Sequence, residues 1–264
     1  MTVLALKLLL APSFVVAVSL VSRRFGVRVG GVFGGLPAIA GPILLVLAID
    51  EGTDFAAGAA AGVVLGVVAV VAFVVAYVLV APRLAWPWAV AAGWAAFFIA
   101  VLALKPIHVS PFAALVLAWV ACAVTLLLVR RPPRNPVRPP APPPWDLPLR
   151  AACAVVPVVA VTALAHTLGP HVTGLVAAFP IITPVLAAFT QAQQGPREAV
   201  RLLRGMTAGF FSYALFGYLI AVTVEELGTG TSFALATAVA LAVQGIVLVV
   251  TQRREQSPAA EAVA

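Results

Sequence analysis

The residues of this chain best suited to handling a ligand lie in two short runs and at two isolated cations. The first run, VGGVFGGLPAIAGP, spans 29–42 and places Gly31, Pro37 and Pro42 inside an apolar stretch. The second, VTGLVAAFPIITP, spans 172–184 and places Thr173, Gly174, Pro180, Thr183 and Pro184 in a corresponding order. Proline lacks a backbone N–H, so it frees a carbonyl one turn back in a helix. The half-helix after it starts with unsatisfied N–H groups and partial positive charge. A break of this kind offers backbone groups to a solute or ion, which makes both runs candidate substrate-binding segments. The competing role is a kinked helix whose glycines allow close packing. The cations are Lys7 and Arg150. Each lies a few residues inside an apolar run, about 5–8 Å deep by helix rise. They read either as fixed charges that attract an anionic solute or as side chains that snorkel to an interface. Thr190, Gln191, Ser212 and Tyr213 could line a polar path, although hydroxyls in apolar helices usually bond their own backbone.

Other chemistry finds no support. No paired carboxylates lie inside an apolar run, and there is no HExxH, Gly-x-Ser-x-Gly or phosphate loop. His108, His166 and His171 are too dispersed for a metal site. Cys122 and Cys153 sit in apolar runs, which suits packing rather than a disulfide framework. The expectation is no enzyme, no metal and no cofactor.

The elements that must position these residues are set by composition. The chain has 264 residues, 63% hydrophobic and 9% charged, with a mean hydropathy of +1.12. Ordinary domains are about half apolar and about one quarter charged. A globular core cannot hide this much apolar surface at this length, so the bilayer is the expected solvent. The net charge of +7 sits in short loops, so it reads as topology and headgroup contact rather than nucleic-acid binding. Runs near the spanning length fall at 3–22, 27–49, 55–81, 86–104 and 109–129, then at 147–166, 171–191, 199–224 and 230–250. The first run has no convincing cleavage site and is read as a span rather than a signal peptide. Residues 130–146, RRPPRNPVRPPAPPPWD, cannot be helical and form an extended connector. Residues 252–264 read as a disordered tail. The expected organisation is a first membrane unit at 1–129, a linker at 130–146, a second unit at 147–251 and the tail.

Charge sets the orientation. With nine spans and the N-terminus outside, every Arg falls in the cytoplasm and only Lys7 and Lys105 break the pattern, which leaves 14 of the 16 basic residues on one side (16 − 2). The reverse orientation would leave only those two inside.

The two halves also match at a constant offset of 143. Val15-Val16-Ala17-Val18 recurs as Val158-Val159-Ala160-Val161, and Lys7 meets Arg150. Gly26, Gly31, Pro37 and Gly52 meet Gly169, Gly174, Pro180 and Gly195. Gly62, Gly66 and Phe73 meet Gly205, Gly209 and Phe216, and a slip of one residue aligns Pro42 with Pro184. Five spans precede the second copy, and an odd number inverts it. The loop charges agree: 22–28 carries three Arg where 165–171 carries only His, and 50–54 is acidic where 193–204 is basic. The expected fold is therefore all-α, a polytopic membrane protein of about nine helices in two inverted-topology repeats. By helix rise, Pro37 and Pro180 fall about 15 Å inside, near the midplane.

The segment from Val172 to Val222 resembles the GlpM-type family of small bacterial inner-membrane proteins. In that family a Lys in the first helix precedes an AGLxPLFPTFALIAH-like second helix. Thr173-Gly174-Leu175 and Phe179-Pro180 carry the likeness in the second half, with Arg150 at the Lys position, and Gly31, Leu36-Pro37 and Lys7 carry it in the first. The resemblance covers both repeats but neither the linker nor the 109–129 span. It implies a bacterial inner-membrane protein that fuses two units the family keeps as singletons, and it implies no particular activity.

Two functional expectations follow. One is a transporter or permease for a small solute, anionic by preference, rocking one repeat against the other. The other is a non-transporting accessory or scaffold membrane protein. The partners expected are the lipid bilayer and a small-molecule solute, with a homodimer or partner membrane protein compatible with either reading.

Overall fold

The computed structural model describes residues 2–107, 109–130, 132, 143–165, 180 and 182–256. These residues are almost wholly helical and contain no strand. The helices are α1 (Thr2–Phe25), α2 (Val27–Gly34), α3 (Ala40–Asp50), α4 (Thr53–Val80), α5 (Trp86–Leu104), α6 (Pro111–Leu128), α7 (Asp146–Ala165), α8 (Ile182–Gln194) and α9 (Pro196–Gln256). Among the described residues, α4, α5, α6 and α9 contain stretches long and apolar enough to cross a membrane.

Local chemistry explains the boundaries. Pro111 starts α6 at a position whose N–H would be unsatisfied anyway, and the Ser110 hydroxyl caps it by accepting from the Ala113 N–H at 3.3 Å. Gly52 and Gly195 precede α4 and α9 with φ of 94° and 90°, a conformation that favours glycine. The two are 143 residues apart, so the sequence offset reappears as the same backbone turn. The next aligned pair differs in conformation. Ala85 precedes α5 with φ −64° and ψ 157°, whereas Gly228, 143 residues on, has φ 72° and ψ 168°.

Gly228 is the one non-helical position inside α9, and it divides α9 into a first arm, 196–227, and a second arm, 229–256. A loop was expected at 225–229, but Glu225 and Glu226 remain helical. No proline interrupts them, so one glycine makes the bend. The second arm also continues to Gln256, into the expected tail.

Matching helices pack on each other in opposite directions. Arg23 at the end of α1 reaches Asp146 at the start of α7. Ala57, Ala59, Ala60 and Val63, early in α4, share a buried cluster with Phe216, Ile220 and Val224, late in the first arm of α9. The unmatched α6 packs against both α4 and α9, and the Trp119 indole donates to the Phe211 carbonyl at 3.2 Å.

Candidate functional site

The 27–49 run is not one helix. It is α2 and α3, separated at Gly35–Ile39 around Pro37. In a continuous helix Phe33 would accept from residue 37, which has no N–H to give. The Leu36 N–H takes its place at 3.1 Å. The chain re-enters a helix when Gly41 donates to the Pro37 carbonyl at 2.9 Å. Pro42 lies in the first turn of α3, where a missing donor costs nothing. Pro184 occupies the corresponding place in the first described turn of α8.

Gly35 and Ile39 at the edges of the break are buried, and Leu36, Pro37 and Ala38 between them are part-buried. The polar company of the break comes from α9. The Val32 carbonyl accepts from the Gly35 N–H at 3.1 Å and from Gln244 Nε2. Gln244 Oε1 in turn lies within hydrogen-bond reach of the Ser212 hydroxyl. That hydroxyl also lies 2.8 Å from the Gly209 carbonyl, so its single proton serves one acceptor at a time. Gln244 is 3% exposed and Ser212 fully buried. The result is a neutral knot joining α2 to both arms of α9.

Gly31 serves the packing that holds this knot. A Cβ on Gly31 would fall 2.1 Å from the Leu202 carbonyl oxygen, and one on Gly35 would fall 2.7 Å from Gly209 Cα. From the other side, a Cβ on Gly205 or Gly209 would strike the Arg28 or Val32 carbonyl. This is a small-xxx-small crossing of two backbones, and it leaves a solute no space on the face that Gly31 presents to α9. Of the second run, Pro180, Thr183 and Pro184 are buried. The Leu186 side chain, one turn beyond Thr183, comes against Gly34 of α2. Thr173 and Gly174 lie outside the described residues, as do His108, His166 and His171. Lys7 lies in α1, with its side chain outside what is described.

Arg150 stands in a second, charged cluster. Its Nε donates to both Asp146 oxygens at 3.0 and 2.9 Å, and its Nη2 donates to Gln193 Oε1 at 3.2 Å. Arg23 Nη2 and Gln193 Nε2 also donate to Asp146. The Arg150 guanidinium lies 4.8 Å over the Phe189 ring. Asp146 is 0% exposed and Arg150 5%. Burial alone would raise the Asp146 pKa. The Gln193 hydrogen bond, the Arg150 charge and the Arg23 hydrogen bond outweigh it and hold the carboxyl below its ordinary range. Arg150 is therefore engaged by a carboxylate and does not stand as an isolated cation. Thr190 bonds the Leu186 carbonyl one turn back at 2.7 Å. The Gln191 amide donates to the carbonyls of Ala81 (3.2 Å) and Leu84 (3.0 Å), so it ties α8 to the α4–α5 turn.

Asp146, Gln193 and Gln244 were not singled out from sequence. Asp146 precedes Arg150 by four residues, the spacing of an acid–base pair on one helix face. Gln244 is the one amide in the apolar run Val239–Val250. Both signals were present.

No family model, curated protein or solved structure matches the chain.

Proposed function

We propose that this chain is a bacterial inner-membrane transporter or permease for a small solute, anionic by preference. In this reading it is a fused pair of GlpM-type units, with nine spans in two inverted copies, the N-terminus outside and the C-terminus cytoplasmic. The observation that carries the reading is the break at Gly35–Ile39, part-buried in the bundle beside a Val32 carbonyl that bonds Gln244 of α9. Antiparallel packing of α1 on α7, and of α4 on the first arm of α9, suits an axis lying in the membrane plane, as inverted repeats require. The shared 143-residue spacing of helix starts supports the same arrangement. Interrupted helices near the midplane of such repeats are where solutes and ions bind.

Purified protein in proteoliposomes is expected to take up small anions faster than empty liposomes do. Replacing Pro37 and Pro180 together by Ala is expected to reduce uptake at least ~10-fold, because such sites depend on broken helices. Unchanged uptake in the double variant removes the break as the site.

The close Gly31/Gly35 crossing favours a second reading, a rigid accessory or scaffold membrane protein. That reading predicts no uptake of any solute and co-purification with a membrane partner in mild detergent.

A further inference from the structure

The charged cluster sits at one end of the bundle and joins parts that alternating access must separate. We propose that Asp146, Arg150, Arg23 and Gln193 form a closed gate across the end of the solute path where α1 finishes and α7 begins. This gate rests on the transport reading above and assigns it a part the break does not supply.

The four side chains come from α1, α7 and α8, and α1 and α7 belong to different halves. Asp146 accepts from all three of the others, so the carboxylate is the hub. Gln191, also at the end of α8, bonds the α4–α5 turn. One end of the bundle is thus pinned across α1, α4, α7 and α8 by directed polar contacts. Arg150 is almost fully buried although it lies only four residues from the start of α7. A snorkelling arginine would reach outward to water. This one instead lies over Phe189 and turns to the carboxylate, as a closing element does.

The aligned positions of the first half differ in sequence. At the 143-residue offset Lys7 stands for Arg150 and Asp50 stands for Gln193, but Val3 stands where Asp146 would be. Asp50 is exposed, whereas Gln193 is partly buried. The aligned positions therefore do not repeat Asp146, the carboxylate on which the cluster is built. The structure is the state closed at the Asp146 end. Opening there must hydrate Asp146 and Arg150 together, which is feasible because water is only a turn away. At mid-depth the same separation would leave both charges in hydrocarbon.

The test uses a native thiol. Cys153 lies three residues beyond Arg150, on the same face of α7 as Arg150 and Asp146, and is partly buried. Replacing Cys122 by Ser leaves Cys153 as the single cysteine of the full chain. Membrane-impermeant maleimide is applied to right-side-out and to inside-out vesicles. With the gate intact, labelling is slow from both sides. Asp146→Asn is expected to speed labelling at least ~10-fold from one side only, because a shift of that size in the open population follows from losing the hub. Gln193→Ala, which keeps the ion pair, is expected to give a smaller rise from the same side. Exchanging the charges, with Asp146→Arg and Arg150→Asp together, is expected to return labelling toward the slow rate.

An unchanged rate in Asp146→Asn overturns the gate, and so does an equal rise from both sides, which signals general loosening. Should Asp146→Asn not assemble, Gln193→Ala decides by the same criterion. Solute uptake is measured in parallel. One-sided labelling without uptake of any solute removes the transport reading and leaves only an opening clasp. Uptake with unchanged labelling removes the gate alone.

Discussion

Two buried polar clusters hold this bundle together, and they are built from different chemistry. Near the ends of α1, α7 and α8 the cluster is ionic, with two guanidiniums and an amide around the Asp146 carboxylate. Beside the α2–α3 break it is neutral, with the Gln244 amide, the Ser212 hydroxyl and two backbone carbonyls. Charge is costly deep in hydrocarbon and cheaper within a turn of water. An amide can satisfy a freed carbonyl at depth without carrying charge. In the proposed membrane setting the placement follows that gradient. Under the proposed gate it also divides the work: the ionic cluster opens when water enters, and the neutral one keeps the interrupted helix seated on α9.

The largest expected effect comes from splitting the ionic cluster. Asp146→Leu leaves Arg150 buried without its carboxylate, and breaking one partner of a buried pair costs about 3–5 kcal/mol. The expected outcome is a large fall in the unfolding midpoint in detergent, followed by tryptophan fluorescence. The double variant Asp146→Leu with Arg150→Met removes both charges and is expected to recover most of the loss, since a buried pair replaced by apolar side chains is often close to neutral. A double variant as unstable as the single one would show that the cluster stabilises by more than pairing.

Next is the crossing beneath the neutral knot. Gly35→Ala places a methyl group 2.7 Å from both Gly209 Cα and the Met206 carbonyl oxygen. Both obstacles are backbone, so α2 must move away from α9. Overpacking of this kind costs about 1–3 kcal/mol. Since Val32 moves with Gly35, the Gln244 contact is expected to weaken too. Unfolding of Gly35→Ala, Gln244→Leu and their combination forms the check: the combined loss should be less than the sum, because neighbours that share a contact do not add.

How much of this was legible in the sequence depends on what each signal requires. The α5 start at Trp86 and the breaks at Pro37 and Gly52 could be read because proline and glycine act through their own backbone. The pairing of Gly31 and Gly35 with Gly205 and Gly209 could not, because nothing local says which small-residue face meets which. The sequence matched Gly205 with Gly62 as repeat equivalents, whereas in space Gly205 meets Gly31. Asp146 reads as the last residue of the proline-rich connector, Arg23 as a topology signal and Arg150 as a fixed or snorkelling cation. Once the helix begins at Asp146 its carboxylate faces Arg150 one turn on, so a shift of one residue in the boundary turned a loop charge into a buried hub. Gln244 carries little signal because one amide in a twelve-residue apolar run barely changes hydropathy.

The smallest effects separate what the amide does from what its position does. Gln244→Leu keeps the volume but leaves the Val32 carbonyl with one donor and the Ser212 hydroxyl with the Gly209 carbonyl. Hydrogen bonds between apolar helices average about 0.6 kcal/mol and reach about 1.7, so a modest fall in the midpoint is expected, well below that of Asp146→Leu. Gly245→Ala is the neighbouring control, because a Cβ there meets nothing within 4 Å. Alanine costs less than glycine in a helix, by about 0.8–1.0 kcal/mol in water, so Gly245→Ala should leave the midpoint unchanged or raise it slightly. If Gly245→Ala lowers the midpoint as much as Gln244→Leu does, this stretch of the second arm is sensitive to any change. The knot would then be incidental to the break it touches. If only Gln244→Leu lowers it, the side-chain amide holds the interrupted helix, and the neutral cluster differs from the charged one in strength as well as in chemistry.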